Sequence, residues 1–335
     1  MIKYAVVFAG QGAQKPGMGK SLYEANSAAR EIFDRAGEEI KFDCFEADAE
    51  RLKQTEVTQP AVYTMDMAAY AALRWALEAR GDEGGFQGPS CVAGFSLGEY
   101  AAFTAAGAIS SFEEGLAIVK TRAQLMKMAG ANSDGSQRGA MAAGIGEEDA
   151  VLDLVDLTRG DDVLEAVNFN SSQQTVVAGD AAAVARFTEM AAGNRSLGVK
   201  AITLSVSGAF HSTLMRPAAE GLTEALSECF FEEPSLPVYL NVTGGTYSEY
   251  SEMAVGRANA KIKALMVSQI QSPVYWKTIV EAIAADGVEV VVEVGPGKTL
   301  TGLIKKITPE LCTLHVEDAE SLAETVDFFR QTGGS

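Results

Sequence analysis

Three apolar runs set what this chain can fold into. Tyr4–Phe8, Ser90–Phe95 and Val288–Val294 are short, nearly unbroken stretches of strand-forming residues. Such a run fits a strand covered on both faces, as in the middle of a parallel sheet. The first passes into a glycine-rich loop, and helical periodicity follows around 19–36 and across 58–80. The second passes into Gly94-Phe95-Ser96-Leu97-Gly98, with helical patterns over Leu97–Gly107 and Glu113–Ala129. Strands alternating with helices predict an α/β protein with a mostly parallel sheet.

The rhythm changes after the polar stretch GANSDGSQRG at 130–139. GAMAAGIG reads as a strand, EEDAVLDLVDL as a helix, VLEAVNFN and QQTVVAGD as two strands, AAAVARFTEMAAG as a helix and VKAITLSVS as a strand. That order, β-α-β-β-α-β, is the ferredoxin-like split pattern. The expectation is a large α/β-hydrolase-like domain formed by 1–137 and 207–335, with a small inserted ferredoxin-like α+β domain at 138–206. Further helices are expected near 214–228 and over 252–286, and the terminal Gly-Gly-Ser reads as disordered.

Composition excludes some functions. With 335 residues, 47% of them hydrophobic, the chain can bury a large core. No apolar run reaches membrane-spanning length, because Asp66 and Arg74 interrupt the longest candidate. A net charge of −18 argues against nucleic acid as the main ligand. Cys44, Cys91, Cys229 and Cys312 form no close pair. Neither a metal site nor a disulfide framework is expected, and a reducing cytoplasm is the simplest setting. GAQKPGMGKS at 12–21 approaches a phosphate-binding loop, but Gln14 stands where that loop needs its first glycine.

Gly94–Gly98 fits G-x-S-x-G, in which Ser96 would sit on a strand-to-helix elbow. The same five residues also suit an ordinary tight turn. A serine hydroxyl needs an adjacent base, and the chain has two histidines, His211 and His315. His211, in SVSGAFHSTLM, lies where the chain re-enters the larger domain and is the better candidate. His315, in CTLHVED, reads as a strand-end or surface residue. Spacing alone does not decide between a Ser96/His211 pair and two unconnected residues. An elbow would offer the Leu97 amide to an oxyanion, and the Gly10-Gln11-Gly12 loop could supply a second. Arg122, read alone, is a helix-surface residue pairing with a neighbour such as Glu114.

Several stretches together resemble the malonyl-CoA:acyl carrier protein transacylase family: FAGQGAQKPGMGK, GFSLGEY, TRAQLMKMA, AVNFNSSQQTVVAG, SGAFHS and EVGPGKTLTGLIK. They run from residue 5 to about 305. The resemblance implies transfer of a malonyl group from malonyl-CoA to the phosphopantetheine thiol of acyl carrier protein. The route implied is ping-pong, through a malonyl-serine, in cytoplasmic fatty-acid synthesis. No permanently bound cofactor is implied; the coenzyme A thioester is a substrate. Ser96 resembles the nucleophile and His211 the base. Gln11 and Leu97 match the oxyanion amides, and Arg122 the group that grips the malonyl carboxylate. The Gln269 carbonyl would orient the histidine, Phe210 would crowd the carbon alpha to the thioester, and Asn168 would line the groove.

One departure stands out: Phe95 precedes the serine where the family usually has His. It changes the polarity beside the nucleophile without removing the base. Lys261, Lys263, Lys277, Lys298, Lys305 and Lys306 are candidates for carrier-protein docking. The rival readings are a serine esterase or thioesterase of α/β-hydrolase type, an acyltransferase serving a polyketide synthase, and a non-catalytic acyl-binding protein.

Overall fold

The computed structural model describes residues 2–78, 88–132 and 134–332. The terminal Gly-Gly-Ser and the end of the helical stretch expected at 58–80 lie outside the described residues. Nine strands are present among the described residues: β1 Tyr4–Phe8, β2 Cys91–Gly94, β3 Gly139–Ile145, β4 Leu164–Ser171, β5 Gln174–Asp180, β6 Lys200–Thr203, β7 Val238–Tyr239, β8 Val290–Val294 and β9 Cys312–Val316. They form two sheets. The larger has the order β7-β2-β1-β8-β9 with every pairing parallel. The smaller has the order β4-β5-β3-β6 and is antiparallel.

The apolar runs occupy the centre of the larger sheet because both of their faces need cover. Along β1, Val6 and Phe8 join one apolar cluster while Ala5 and Val7 join another with Trp276, Ile279 and Leu300. Alternate side chains point to opposite faces, so helices pack on both.

The smaller sheet uses its faces differently. Ala142 and Val177 pack under the helices Glu148–Arg159 and Ala181–Gly193, in a cluster that includes Leu154 and Phe187. Met141, Ala143, Val176 and Ala178 instead join the cluster of the larger body. Between β4 and the larger body, Phe169 N–H donates to the Val274 carbonyl (2.9 Å) and Val274 N–H to the Val167 carbonyl (2.8 Å).

Three expected elements differ in extent. The helical stretch at 19–36 is split into Lys20–Ala25 and Ser27–Ala36, because the Asn26 side chain accepts the amides of Ala28 and Ala29 and starts a new helix. The stretch at 252–286 contains Ala258–Ile270 and Trp276–Ala285, separated by a segment holding Pro273. Proline disfavours helical backbone at the residue before it, and Val274 is taken up by β4. The strand expected over VKAITLSVS pairs only at Lys200–Thr203, after which Leu204 and Val206 turn toward a cleft. No helix among the described residues is long and apolar enough to cross a membrane.

Candidate active site

A cleft of about 260 Å³ opens where the carboxyl ends of β1, β2 and β8 face the small sheet. Open parallel sheets bind ligands at such strand ends. Ala9–Gly12 and Phe95–Ser96 form one wall, and Met141, Asn168 and Val176 the other.

Ser96 sits on a sharp elbow between β2 and the helix Gly98–Ala105. A Cβ added at Gly94 would lie 1.9 Å from the carbonyl carbon of Gly98, and one at Gly98 2.3 Å from the Phe8 carbonyl oxygen. Both flanking glycines are therefore required for the turn to close. Ser96 has φ 51° and His211 φ 63°, the two positive values at non-glycine residues among those described. Left-handed backbone costs an ordinary side chain about 1–3 kcal/mol, and such residues cluster at functional sites.

The two side chains meet. Ser96 Oγ lies 2.7 Å from His211 Nε2. His211 Nδ1 lies 2.9 Å from the main-chain oxygen of Gln269. A carbonyl only accepts, so Nδ1 carries the proton and Nε2 turns its lone pair toward the hydroxyl. His211 is 3% exposed. Burial, reinforced by the nearby Arg122 charge, pushes its pKa down to about 4, which keeps the ring neutral and available as a base at physiological pH. His315 lies in β9, half-buried and away from this cleft.

The amides of Gln11 and Leu97 donate to no acceptor among the described residues. Gln11 lines the cleft, and Leu97 immediately precedes the helix. Free amides at a helix N-terminus suit a developing negative charge.

Arg122 departs from its ordinary reading. It is 1% exposed and has no carboxylate within ion-pair distance among the described residues. Glu114 is occupied by the Ser110 hydroxyl. Arg122 Nη1 donates to Gln59 Oε1 (2.8 Å), and Nη2 to Gln269 Oε1 (3.2 Å) and Ser96 Oγ (3.3 Å). Its guanidinium carbon lies 5.2 Å from the Tyr100 ring centroid. Nε is buried without a partner. Burial pulls the guanidinium pKa below its usual value, opposed by Tyr100 and Glu99. A guanidinium with a spare donor beside a nucleophile is suited to accept a carboxylate in two parallel hydrogen bonds.

Phe210 and Asn168 line the cleft, both nearly buried. Phe95 also lines it and meets Trp276 edge-on at 5.5 Å. Sequence reasoning passed over Asn170, whose Oδ1 is buried, unpartnered and beside the same cleft. It also passed over Gln59, Asn241 and Glu99. Asn241 Oδ1 accepts the Ser96 amide (2.7 Å) and Asn241 Nδ2 donates to the Gly94 carbonyl (2.7 Å). Burial raises the Glu99 pKa to about 7 against the opposing pull of its hydrogen bonds. The position of Glu99, three residues beyond the elbow serine, was the available signal.

Among the described residues no group of three or more His, Cys, Asp or Glu is placed to hold a metal. Lys20, which would reach phosphate in a nucleotide loop, pairs instead with Glu46 at 2.7 Å. Of the basic docking candidates, Lys261 and Lys263 donate to the carbonyls of Ser251 and Ser227, and Lys277 lies 3.6 Å from Glu281. Lys298, Lys305 and Lys306 are exposed on or beside the helix Thr299–Ile307, whose residues Thr299, Leu300 and Leu303 border the cleft.

Comparison with known proteins shows the same architecture. Residues 5–324 match the acyl transferase domain family. The chain is 36% identical to the malonyl CoA-acyl carrier protein transacylase of Bacillus subtilis (strain 168), covering 99% of this chain and 98% of that one. The crystal structure of the Clostridium perfringens malonyl CoA-acyl carrier protein transacylase superposes with a TM-score of 0.85 at 33% identity, over 99% of this chain and 98% of that one. A malonyl-transacylase in complex with a type II polyketide synthase acyl-carrier protein superposes with a TM-score of 0.84 at 32% identity, over 97% and 99% of the two chains.

Proposed function

This chain belongs to the malonyl CoA-acyl carrier protein transacylases of the acyl transferase domain family, and we propose that it moves malonyl groups in two half-reactions through an ester on Ser96. It is an acyl carrier protein S-malonyltransferase of fatty-acid or polyketide synthesis, with fatty-acid synthesis the pathway proposed. The observation that carries the ester route is the buried Arg122 guanidinium, with an unused donor, 3.3 Å from a serine oxygen that a neutral histidine also meets.

In the first half-reaction His211 Nε2 takes the Ser96 proton as Oγ attacks the thioester carbonyl. The Gln11 and Leu97 amides receive the tetrahedral oxygen. The carbon–sulfur bond breaks, and coenzyme A leaves as a thiol with the proton from His211. In the second, the carrier's phosphopantetheine thiol gives its proton to His211 and attacks the malonyl ester. Ser96 leaves and recovers the proton. Phe210 limits the space beside the alpha carbon. The apolar walls of the cleft disfavour water as a competing acceptor.

The acyl carrier protein is proposed to dock on the helix Thr299–Ile307. Lys298, at the N-cap, and Lys305, in the last turn, both face solvent. The α/β-hydrolase-like character of the larger unit and the ferredoxin-like character of the insert are part of the same reading, as are the boundaries 1–137 with 207–335 and 138–206. The strand orders and the packing of the small sheet support them. A cytoplasmic setting agrees with four cysteines that are all unpaired.

The test is incubation with malonyl-CoA followed by intact-mass spectrometry, then addition of carrier protein bearing phosphopantetheine. One malonyl mass should appear on the enzyme and pass to the carrier, and Ser96→Ala should remove the adduct. An adduct persisting in that variant refutes the nucleophile.

A further inference from the structure

Glu99 is 4% exposed in the first turn of the helix Gly98–Ala105. No cation pairs with it among the described residues. Acidic residues in a first turn usually face water, where they complement the helix dipole. This one turns inward, and each of its oxygens takes a different donor. Oε1 accepts the Asn241 amide (2.7 Å) and Oε2 accepts Gln269 Nε2 (2.5 Å).

Both partners lead to the reacting groups. Asn241 holds the Ser96 amide and the Gly94 carbonyl, the two flanks of the elbow. Gln269 touches three groups. Its Nε2 also donates to the Ser96 carbonyl (2.7 Å), its Oε1 accepts from Arg122, and its main-chain oxygen faces His211 Nδ1. A side-chain amide has one donating end and one accepting end, whereas a carboxylate only accepts. The carboxylate at 99 and the Ser96 carbonyl, which also only accepts, together hold the donating end of Gln269 and leave the accepting end for the guanidinium.

We propose that Glu99 is a positioning residue for substrate selection: by anchoring the Gln269 amide together with the Ser96 carbonyl, it holds Arg122 in place for an acyl group that carries a carboxylate. This rests on the reading of Arg122 as the carboxylate clamp. Glu99→Gln supplies one oxygen for two donors. The Asn241 amide is fixed in the main chain and keeps that oxygen. Gln269 Nε2 then meets a donor at position 99 where it had an acceptor, and turning over would set its Oε1 against the Ser96 carbonyl, so the side chain is displaced and the Oε1 that accepts from Arg122 moves with it. Arg122 then loses an acceptor and its orientation.

The experiment measures acylation of Ser96 by malonyl-CoA and by acetyl-CoA above the Glu99 pKa of about 7, where the carboxyl is ionised, read as coenzyme A released in single turnover, in folded variants checked by circular dichroism. Glu99→Gln is expected to lower the preference for malonyl over acetyl by about tenfold or more, since misplacing a binding group by an ångström costs that much or more. Glu99→Asp, which keeps two accepting oxygens, is expected to slow both substrates and keep the preference within about twofold. Equal losses of both substrates in Glu99→Gln, or an unchanged preference, overturn the proposal.

Should Glu99→Gln not fold, Gln269→Met removes the amide and leaves the main-chain oxygen for His211. It should lose malonyl preference in the same way, and a retained preference overturns the proposal. Arg122→Ala separates the two readings. Preference lost there but intact in Glu99→Gln refutes only the role of Glu99, whereas preference intact in Arg122→Ala refutes the clamp itself and the role of Glu99 with it.

Discussion

Replacing Arg122 with alanine tests the chemistry most directly. The guanidinium is buried and already donates to Gln59 and Gln269, and its Nε has no partner. A malonyl carboxylate delivered to Ser96 would take up the Nε and Nη2 edge. Hydrogen bonds to charged groups are worth about 1.5–3 kcal/mol each, so two are worth about 3–6 kcal/mol. One decade of rate corresponds to about 1.4 kcal/mol, so malonyl acylation should fall by roughly two to four orders of magnitude. Acetyl carries no such group. Its acylation should change by less than about tenfold, because the lost charge also relieves an unpaired buried cation. Stopped-flow detection of free coenzyme A thiol with each thioester gives both rates, with thermal unfolding as the control for folding. If malonyl and acetyl acylation fell by the same factor, the carboxylate-clamp argument would be refuted.

His211→Ala should slow acylation by roughly two to four orders of magnitude, the usual worth of a general base, while His315→Ala leaves it near wild type; the reverse ranking in the same assay shows that the wrong histidine was assigned. Lys298→Glu combined with Lys305→Glu should raise KM for carrier protein and flatten its salt dependence while acylation by malonyl-CoA is unaffected, and an unchanged KM places docking elsewhere. The folded pKa of His211, about 4, lies below its ordinary 6.5. The unfolded chain therefore binds this proton first as pH falls, and the stability present above 6.5 is lost on the way down to 4. The loss is about 3 kcal/mol on the order of one pKa unit per 1.36 kcal/mol. Urea titrations at pH 7 and 4.5 should show His211→Gln losing less stability than wild type, and equal losses refute the linkage.

What was legible in the chain follows from how local each signal is. The three apolar runs are buried on both faces, so their own composition announces a central parallel strand. Ser96 was legible because two glycines and a serine at fixed spacing are what a strand-to-helix elbow requires. Strand β7 has two residues, too few for any alternation to register, and Asn241 follows two residues beyond its end. Glu99 and Arg122 lie on helices, where a charged residue ordinarily faces solvent. Their burial depends on Asn241, Gln269 and Gln59, which come from distant parts of the chain. The break at 271–275 is marked by Pro273, but its pairing with β4 depends on the fold as a whole.

The backbone at Ser96 and His211 has a consequence for how this protein responds to selection. Glycine adopts those torsions without penalty, whereas a serine or histidine holds them at about 1–3 kcal/mol each. A library of variants sorted for heat survival alone would therefore tend toward glycine at position 96, where the side chain is small and partly exposed. At 211 the same relief is set against the cavity and the unpaired Gln269 carbonyl that loss of a buried ring would leave, so the histidine can persist under selection for folding while the serine needs another kind of selection.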